Sequence, residues 1–298
     1  MVLIDPYGRK LTGLRMSVTS RCNLRCIYCH HEGEVCVGRE ISREMAVNVV
    51  NAASRLGIRS VKITGGEPLM RRDLEEMIAG FREVAPGVEI SITTNGVYLK
   101  ERAERLAAAG LSRANISLDS LDPDRYRRIT GAKEGDLERV LDGIEAALVS
   151  GLKPVKLNMV VLKENECEIP GMIEFSRRSG VILQLIELLG DGPKGDLESV
   201  ERRIEAQADG FLTREMHRRR KYFLDGAVVE IVRPMDNTEF CAHCTRLRVT
   251  SDGRLKPCLL RNDNLLEIKS TDPDEIERLI LEVVRRREPF FRGANSER

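Results

Sequence analysis

Several things the chain lacks narrow the reading first. Lys plus Arg (48) all but cancels Asp plus Glu (47), so no whole-protein field draws the chain to nucleic acid or to an anionic membrane. No apolar run is long enough to span a bilayer, and the opening MVLIDPYGRK lacks the charged-then-apolar pattern of a signal peptide. The expectation is a cytoplasmic protein, in which thiols stay reduced and clustered cysteines bind metal more often than they pair with one another. Tryptophan is absent while charged residues reach 32%, a balance that leans toward heat adaptation. Low-complexity tracts are absent too, and the only repeat is an alternation of short segments.

That alternation sets the fold class. With 298 residues, 42% of them apolar, the chain can build one large α/β domain with an appendage, or two domains. Short β-branched runs at 14–18, 60–64, 89–94, 114–118, 155–161 and 182–188 alternate with helical patterns, the signature of βα units and a parallel sheet. Ser42 reads as a helix cap, and Gly57, Gly110, Gly151 and Gly180 fall where helices should stop. Six such units predict an incomplete (β/α)6 barrel or an open doubly wound sheet. After residue 196 the rhythm breaks. The basic run 218–221 reads as a solvated helix face carrying a surface His217, followed by a strand at 227–232 and a C-terminal helix at 272–287 capped by Asp272. A boundary is expected at 225/226, with the barrel in 1–225 and a smaller region in 226–298.

The cysteines are crowded at two places. Cys22-x3-Cys26-x2-Cys29 lies just beyond the C-terminal end of the first strand, the edge where parallel α/β folds gather active sites. Three thiolates on a short loop can hold three irons of a cubane cluster and leave the fourth open, whereas structural zinc asks for four protein ligands. The alternative is a zinc knuckle completed by His30 or His31. Near the other end, Cys241-x2-Cys244-x13-Cys258 spans a predicted hairpin, RLRVT–SDG–RLKPC. Here the alternative is structural zinc with His243 or another residue as fourth ligand. Cys36 and Cys167 lie outside both groups and read as small hydrophobes.

The first group, with Tyr28 just before its third cysteine, resembles the radical S-adenosylmethionine (SAM) superfamily. TGGEP (64–68), TTNG (93–96) and SLDS (117–120), each at a strand end, fit that resemblance. The glycines of TGGEP would let the backbone approach a ligand closely. Together with TGGEPLMRRDL, the second cysteine group and the TRLR that follows Cys244, the chain resembles the GTP 3′,8-cyclase family (molybdenum cofactor biosynthesis protein A) over about residues 5–290. The resemblance implies two [4Fe–4S] clusters, held by Cys22, Cys26 and Cys29 and by Cys241, Cys244 and Cys258. The first binds SAM, whose reductive cleavage yields a 5′-deoxyadenosyl radical; the second binds the guanine of GTP.

It further implies SAM contacts from Tyr28, Gly66, Ser117 and Leu189, the last where relatives tend to carry Met. GTP contacts would come from Arg15, Lys62, Thr93, Lys156, Arg246, Leu247 and Arg248, with Lys62 where an arginine is often found. Charged residues on strands independently suggest a ligand-facing cavity, since a cation aimed into an apolar core is costly. The implied product is 3′,8-cyclo-7,8-dihydro-GTP, the first intermediate of molybdenum cofactor biosynthesis. The implied partners are GTP, a ferredoxin- or flavodoxin-like electron donor, a downstream cyclic pyranopterin monophosphate synthase and, as relatives often show, a second copy. Relatives often end in a Gly-Gly tail, but this chain ends FFRGANSER. His30 and His31 stand where many relatives have Met-Pro. Two rival readings are a peptide-modifying radical SAM maturase and a non-catalytic two-zinc module.

Overall fold

A computed structural model describes residues 2–34, 38–235 and 237–291; Cys36 and the final residues 292–298 lie outside them. Two short strands, β1 (Leu3–Ile4) and β2 (Lys10–Leu11), pair antiparallel. Six parallel strands then run in sequence order: β3 (Gly13–Ser17), β4 (Ser60–Thr64), β5 (Glu89–Thr94), β6 (Arg113–Ser117), β7 (Lys156–Val161) and β8 (Ile182–Glu187). The helices between them are α1 (Arg43–Arg55), α2 (Leu74–Val84), α3 (Ala103–Ala108), the pair α4 (Pro123–Thr130) and α5 (Asp136–Val149), and α6 (Ile169–Ser179). This is the expected (β/α)6 order. Ser42 caps α1 by accepting from the Met45 N–H, and Gly57, Gly110, Gly151 and Gly180 all take positive φ where helices end.

The remaining strands extend that sheet at both edges. After α7 (Leu197–Gln207) come β9 (Gly210–Thr213), β10 (Arg220–Leu224) and β11 (Ala227–Val232), then the short α8 (Thr238–Ala242), β12 (Arg246–Val249), β13 (Arg254–Lys256), β14 (Leu266–Glu267) and α9 (Pro273–Arg285). β11 pairs parallel with β8, and β12 pairs parallel with β3. The sheet is therefore twelve strands in the order β14-β13-β12-β3-β4-β5-β6-β7-β8-β11-β10-β9, and among the described residues its two edges do not pair. The boundary expected at 225/226 falls in the turn between β10 and β11, both strands of this one sheet.

The basic run is not a helix face. Residues 220–224 are β10, whose Tyr222 is fully buried, and Arg219 is only 8% exposed. Few apolar residues and a fully exposed edge strand β9 hide the period-2 signal there. His217 is likewise buried rather than on the surface, in a left-handed conformation with φ 62°. Cys167, read as a small hydrophobe, is exposed.

Alternation along the strands sorts side chains into two layers. Leu14, Met16, Val61, Ile63, Ile90, Ile92, Leu157, Leu183 and Leu247 are buried against the helices. The residues between them face the barrel's interior, which is polar. Arg15 is paired in register with Lys62 on one side and Arg248 on the other, while Asn158, Gln184 and Glu230 follow one another across β7, β8 and β11.

Candidate active site

Two cavities open inside the barrel and meet at Arg15, His30, Thr93, Asn158, Ile186 and Leu189, which line both. Cys22, Cys26 and Cys29 line the first, and Cys241, Cys244 and Cys258 line the second.

The first loop is pinned to the strand ends. The Gly66 N–H donates to Thr19 O and the Glu67 N–H to Arg21 O, both at 2.7 Å. A Cβ on Gly66 would come within 2.2 Å of Arg21 O. The missing side chains of TGGEP thus make room chiefly for the cysteine loop's own backbone, although Gly65 and Gly66 also face the cavity. Glu67 ties two motifs together: its carboxylate accepts from the Leu69 N–H at 3.0 Å, the Thr94 hydroxyl at 2.6 Å and the Asn95 N–H at 2.7 Å. Burial raises this carboxyl to about 7. Tyr28 donates its hydroxyl to Asp119 at 2.5 Å, and the Val160 N–H donates to the other oxygen of Asp119 at 2.9 Å. Burial lifts Asp119 to about 6, and burial with the nearby Asp119 charge lifts the Cys26 thiol to about 12. Neither Glu67 nor Asp119 was singled out from the sequence, although both lie inside motifs that were.

At the second group the charges have the other sign. Arg287, 1% exposed, donates to Cys244 O at 3.1 Å and Cys244 Sγ at 3.4 Å, and pairs with buried Asp5 at 2.7 Å. Asp5 also holds Arg9 at 2.6 Å, and Arg9 donates to Cys241 O at 3.2 Å. Burial opposes ionisation of the Cys244 thiol, but Arg287, the Arg246 N–H and the charges of Arg246 and Arg248 outweigh it and pull the thiol below its usual range. His217 stacks on Phe240 with ring centroids 3.7 Å apart, and its backbone N–H donates to His243 O at 3.0 Å. Burial, then the charges of Arg246, Arg219 and Arg248, keep that imidazole neutral.

Cations gather on and behind the wall of the second cavity in three sets. Arg15 and Arg248 both donate to Glu32, at 2.5 and 3.1 Å. Lys156, Arg214 and Gln184 all donate to Glu230, which is 1% exposed. Between these sets, Lys62 and Arg246 have no side-chain hydrogen-bond acceptor and no carboxylate partner among the described residues. Burial, then the neighbouring charges of Arg246, Arg15 and Arg113, press Lys62 toward its neutral form.

Of the residues implied to contact GTP, Arg15, Lys62, Thr93, Arg246 and Arg248 line this cavity. Lys156 is turned to Glu230 off the lining, and Leu247 is fully buried between the two arginines. Tyr28, Gly66, Ser117 and Leu189, implied to contact SAM, all line the first cavity.

Among the described residues, no three His, Cys, Asp or Glu side chains converge tightly enough for a single metal ion. Three soft thiol donors spread along each cavity wall, open on the cavity side, are a donor set suited to an iron–sulfur cluster. Also among the described residues, no helix is long and apolar enough to cross a membrane.

Paired thiol trios at the mouth of a partial barrel define a class, and comparison with known proteins agrees. The sequence profile of the Radical SAM superfamily matches residues 16–176, and that of Molybdenum Cofactor Synthesis C matches residues 193–292. The fold is similar to Streptococcus suis SuiB bound to S-adenosylmethionine (TM-score 0.66, 18% identity, 91% of this chain and 65% of that one). It is also similar to anSMEcpe with bound AdoMet (TM-score 0.65, 15% identity, 91% and 79%). The chain belongs to the radical SAM superfamily.

Within it, closer relatives carry one name. A protein of Methanosarcina mazei named "Probable GTP 3',8-cyclase" is 52% identical over 97% of this chain and 90% of its own length. One of the same name from Archaeoglobus fulgidus is 48% identical over 98% and 100%. The chain is a member of the GTP 3′,8-cyclase family.

Proposed function

We propose that the chain is a SAM-dependent GTP 3′,8-cyclase that forms 3′,8-cyclo-7,8-dihydro-GTP for molybdenum cofactor biosynthesis. Cys22, Cys26 and Cys29 would hold one [4Fe–4S] cluster, and Cys241, Cys244 and Cys258 the other, each leaving a position open to a small molecule. When bound, the first cluster with SAM supplies a carbon radical able to take the C3′ hydrogen of the ribose.

The chain's own residues do the rest. Tyr28, Gly66, Ser117 and Leu189 form the seat for SAM, whose sulfonium suits an end of the cavity walled by Glu67 and Asp119. The triphosphate goes to the opposite end, where guanidinium groups suit phosphate oxygens. Arg15, Thr93 and Arg248 border it, and Lys156 acts from behind through Glu230. The observation that carries this reading is Lys62 with Arg246: two basic groups inside a barrel, crowded by like charge and with no acceptor among the described residues, call for an anionic ligand. Residues 226–298 supply the second cluster, with Arg246 and Arg248 of the substrate end. An electron donor of ferredoxin or flavodoxin type, a downstream cyclic pyranopterin monophosphate synthase, a homodimer and a cytoplasmic location complete the reading.

The test is anaerobic incubation of the iron-loaded protein with SAM, GTP and a strong reductant. Formation of 5′-deoxyadenosine only when GTP is present is the expected result. Equal formation without GTP, or only with a different nucleotide or a peptide, would refute the substrate.

A further inference from the structure

The turn that follows Cys29 lines the first cavity through His31 and Glu32, yet it is anchored to the segment that builds the second. Residues His31, Glu32 and Gly33 all take positive φ, at 47°, 53° and 65°, and non-glycine residues hold that conformation only when their surroundings enforce it. Three contacts to the C-terminal segment do so. A Cβ on Gly33 would lie 2.2 Å from Leu259 O. Gly33 O accepts from Lys256 Nζ at 2.6 Å, and Glu34 accepts from the Ser251 N–H and hydroxyl at 3.0 and 2.6 Å.

Held in this turn, Glu32 reaches between Arg15 and Arg248. These two arginines are directly opposite one another on β3 and β12, and their side chains are 18% and 12% exposed. Like charges in register repel, and two largely buried guanidinium groups would splay apart without an anion between them. One carboxylate oxygen accepts from each arginine; among the described residues their remaining donors have no acceptor, buried Arg15 Nε included.

We infer that Glu32 is a positioning residue that holds Arg15 and Arg248 side by side for the substrate's anionic groups, so that the turn carrying it links the first cysteine loop to the substrate end. This rests on the assignment of GTP to the second cavity. Two opposing effects are separable by substitution. A residue that merely masks positive charge would, when neutralised, let a polyanion bind more tightly. One that orders the arginines would, when neutralised, weaken binding.

The experiment measures GTP and SAM dissociation constants and iron content for the anaerobic iron-loaded protein, its Glu32→Gln and Arg248→Gln variants, and the double variant. Glu32→Gln should weaken GTP binding about tenfold, with SAM affinity and iron unchanged within about twofold. The double variant should bind GTP little worse than Arg248→Gln alone, because the two residues act through one arrangement. Tighter or unchanged GTP binding in Glu32→Gln overturns the inference. So does additivity in the double variant, and so does a parallel loss of SAM affinity or iron, which would mark a structural role. If the unsubstituted protein fails to bind GTP, the functional reading itself falls, an outcome distinct from all of these.

Discussion

The two ends of the cavity each carry a cysteine trio, but in opposite electrostatic settings. At the first, three cysteines sit on a loop backed by Glu67 and Asp119, and the thiols of Cys22 and Cys26 are raised, chiefly by burial. At the second, Arg287, Arg246 and Arg248 crowd Cys244 and draw its thiol down. On the proposed reading, an end lined by carboxyl groups would favour a cationic ligand and an arginine-lined end a polyanion, which would sort a sulfonium and a nucleotide to different cysteine groups. The difference teaches that the field, rather than the cysteine spacing, tells the two groups apart.

Breaking either trio should have the largest effect. Cys26→Ala should abolish 5′-deoxyadenosine formation and about halve the iron bound; Cys241→Ala should also lose iron and cyclised product yet keep SAM binding. Full product formation by either variant would remove that trio from the reaction. Next, Arg287→Ala strands the buried carboxylate of Asp5 and strips the second group of its closest charge. Loss of a buried ion-pair partner costs about 3–5 kcal/mol, so thermal or denaturant unfolding should register a large destabilisation. A shift below about 1 kcal/mol would show that Arg9 alone suffices for Asp5.

Lys62→Ala sharpens the comparison from the substrate side. Removing one charged hydrogen-bond donor costs about 1.5–3 kcal/mol, which predicts GTP binding weakened roughly 10- to 100-fold with SAM affinity intact. An equal loss of SAM affinity would mean the two ends are not electrostatically separate. The last effect concerns pH. The Glu67 carboxyl, raised to about 7 in the folded chain, is held more tightly protonated there than when unfolded. Its favourable contribution is therefore complete below the unfolded value and lost as pH rises toward 7. Glu67→Gln should flatten the fall in stability between about pH 4.5 and 7, a change on the order of 3 kcal/mol by denaturant titration. An unchanged slope would refute the buried carboxyl as its source.

The βα half was legible because each strand is an apolar run between glycine-marked helix ends, a local signal. Arg15, Lys62, Arg246 and Arg248 were legible for a related reason, a charge where a strand should be apolar. What could not be read lies in long-range polar pairing. Glu32 with Arg248, Asp5 with Arg287, and Glu230 with Lys156 join residues far apart in sequence, and nothing in one chain's local pattern signals such partners. His217 was misplaced because a run of arginines dominates its surroundings. Its burial depends on Phe240, met only after the hairpin that returns the chain to the barrel. The glycines of TGGEP were legible as a close approach, but not as an approach mainly to the neighbouring loop.

The parallel pairing of β12 with β3 and of β11 with β8 bears on how the chain could be divided. Severing it between its two profile-matched segments would uncover a raw hydrogen-bonding edge on each flank of the sheet at once. The N-terminal portion expressed alone should therefore self-associate rather than behave as a free-standing module, and the two segments are best regarded as a single folding unit.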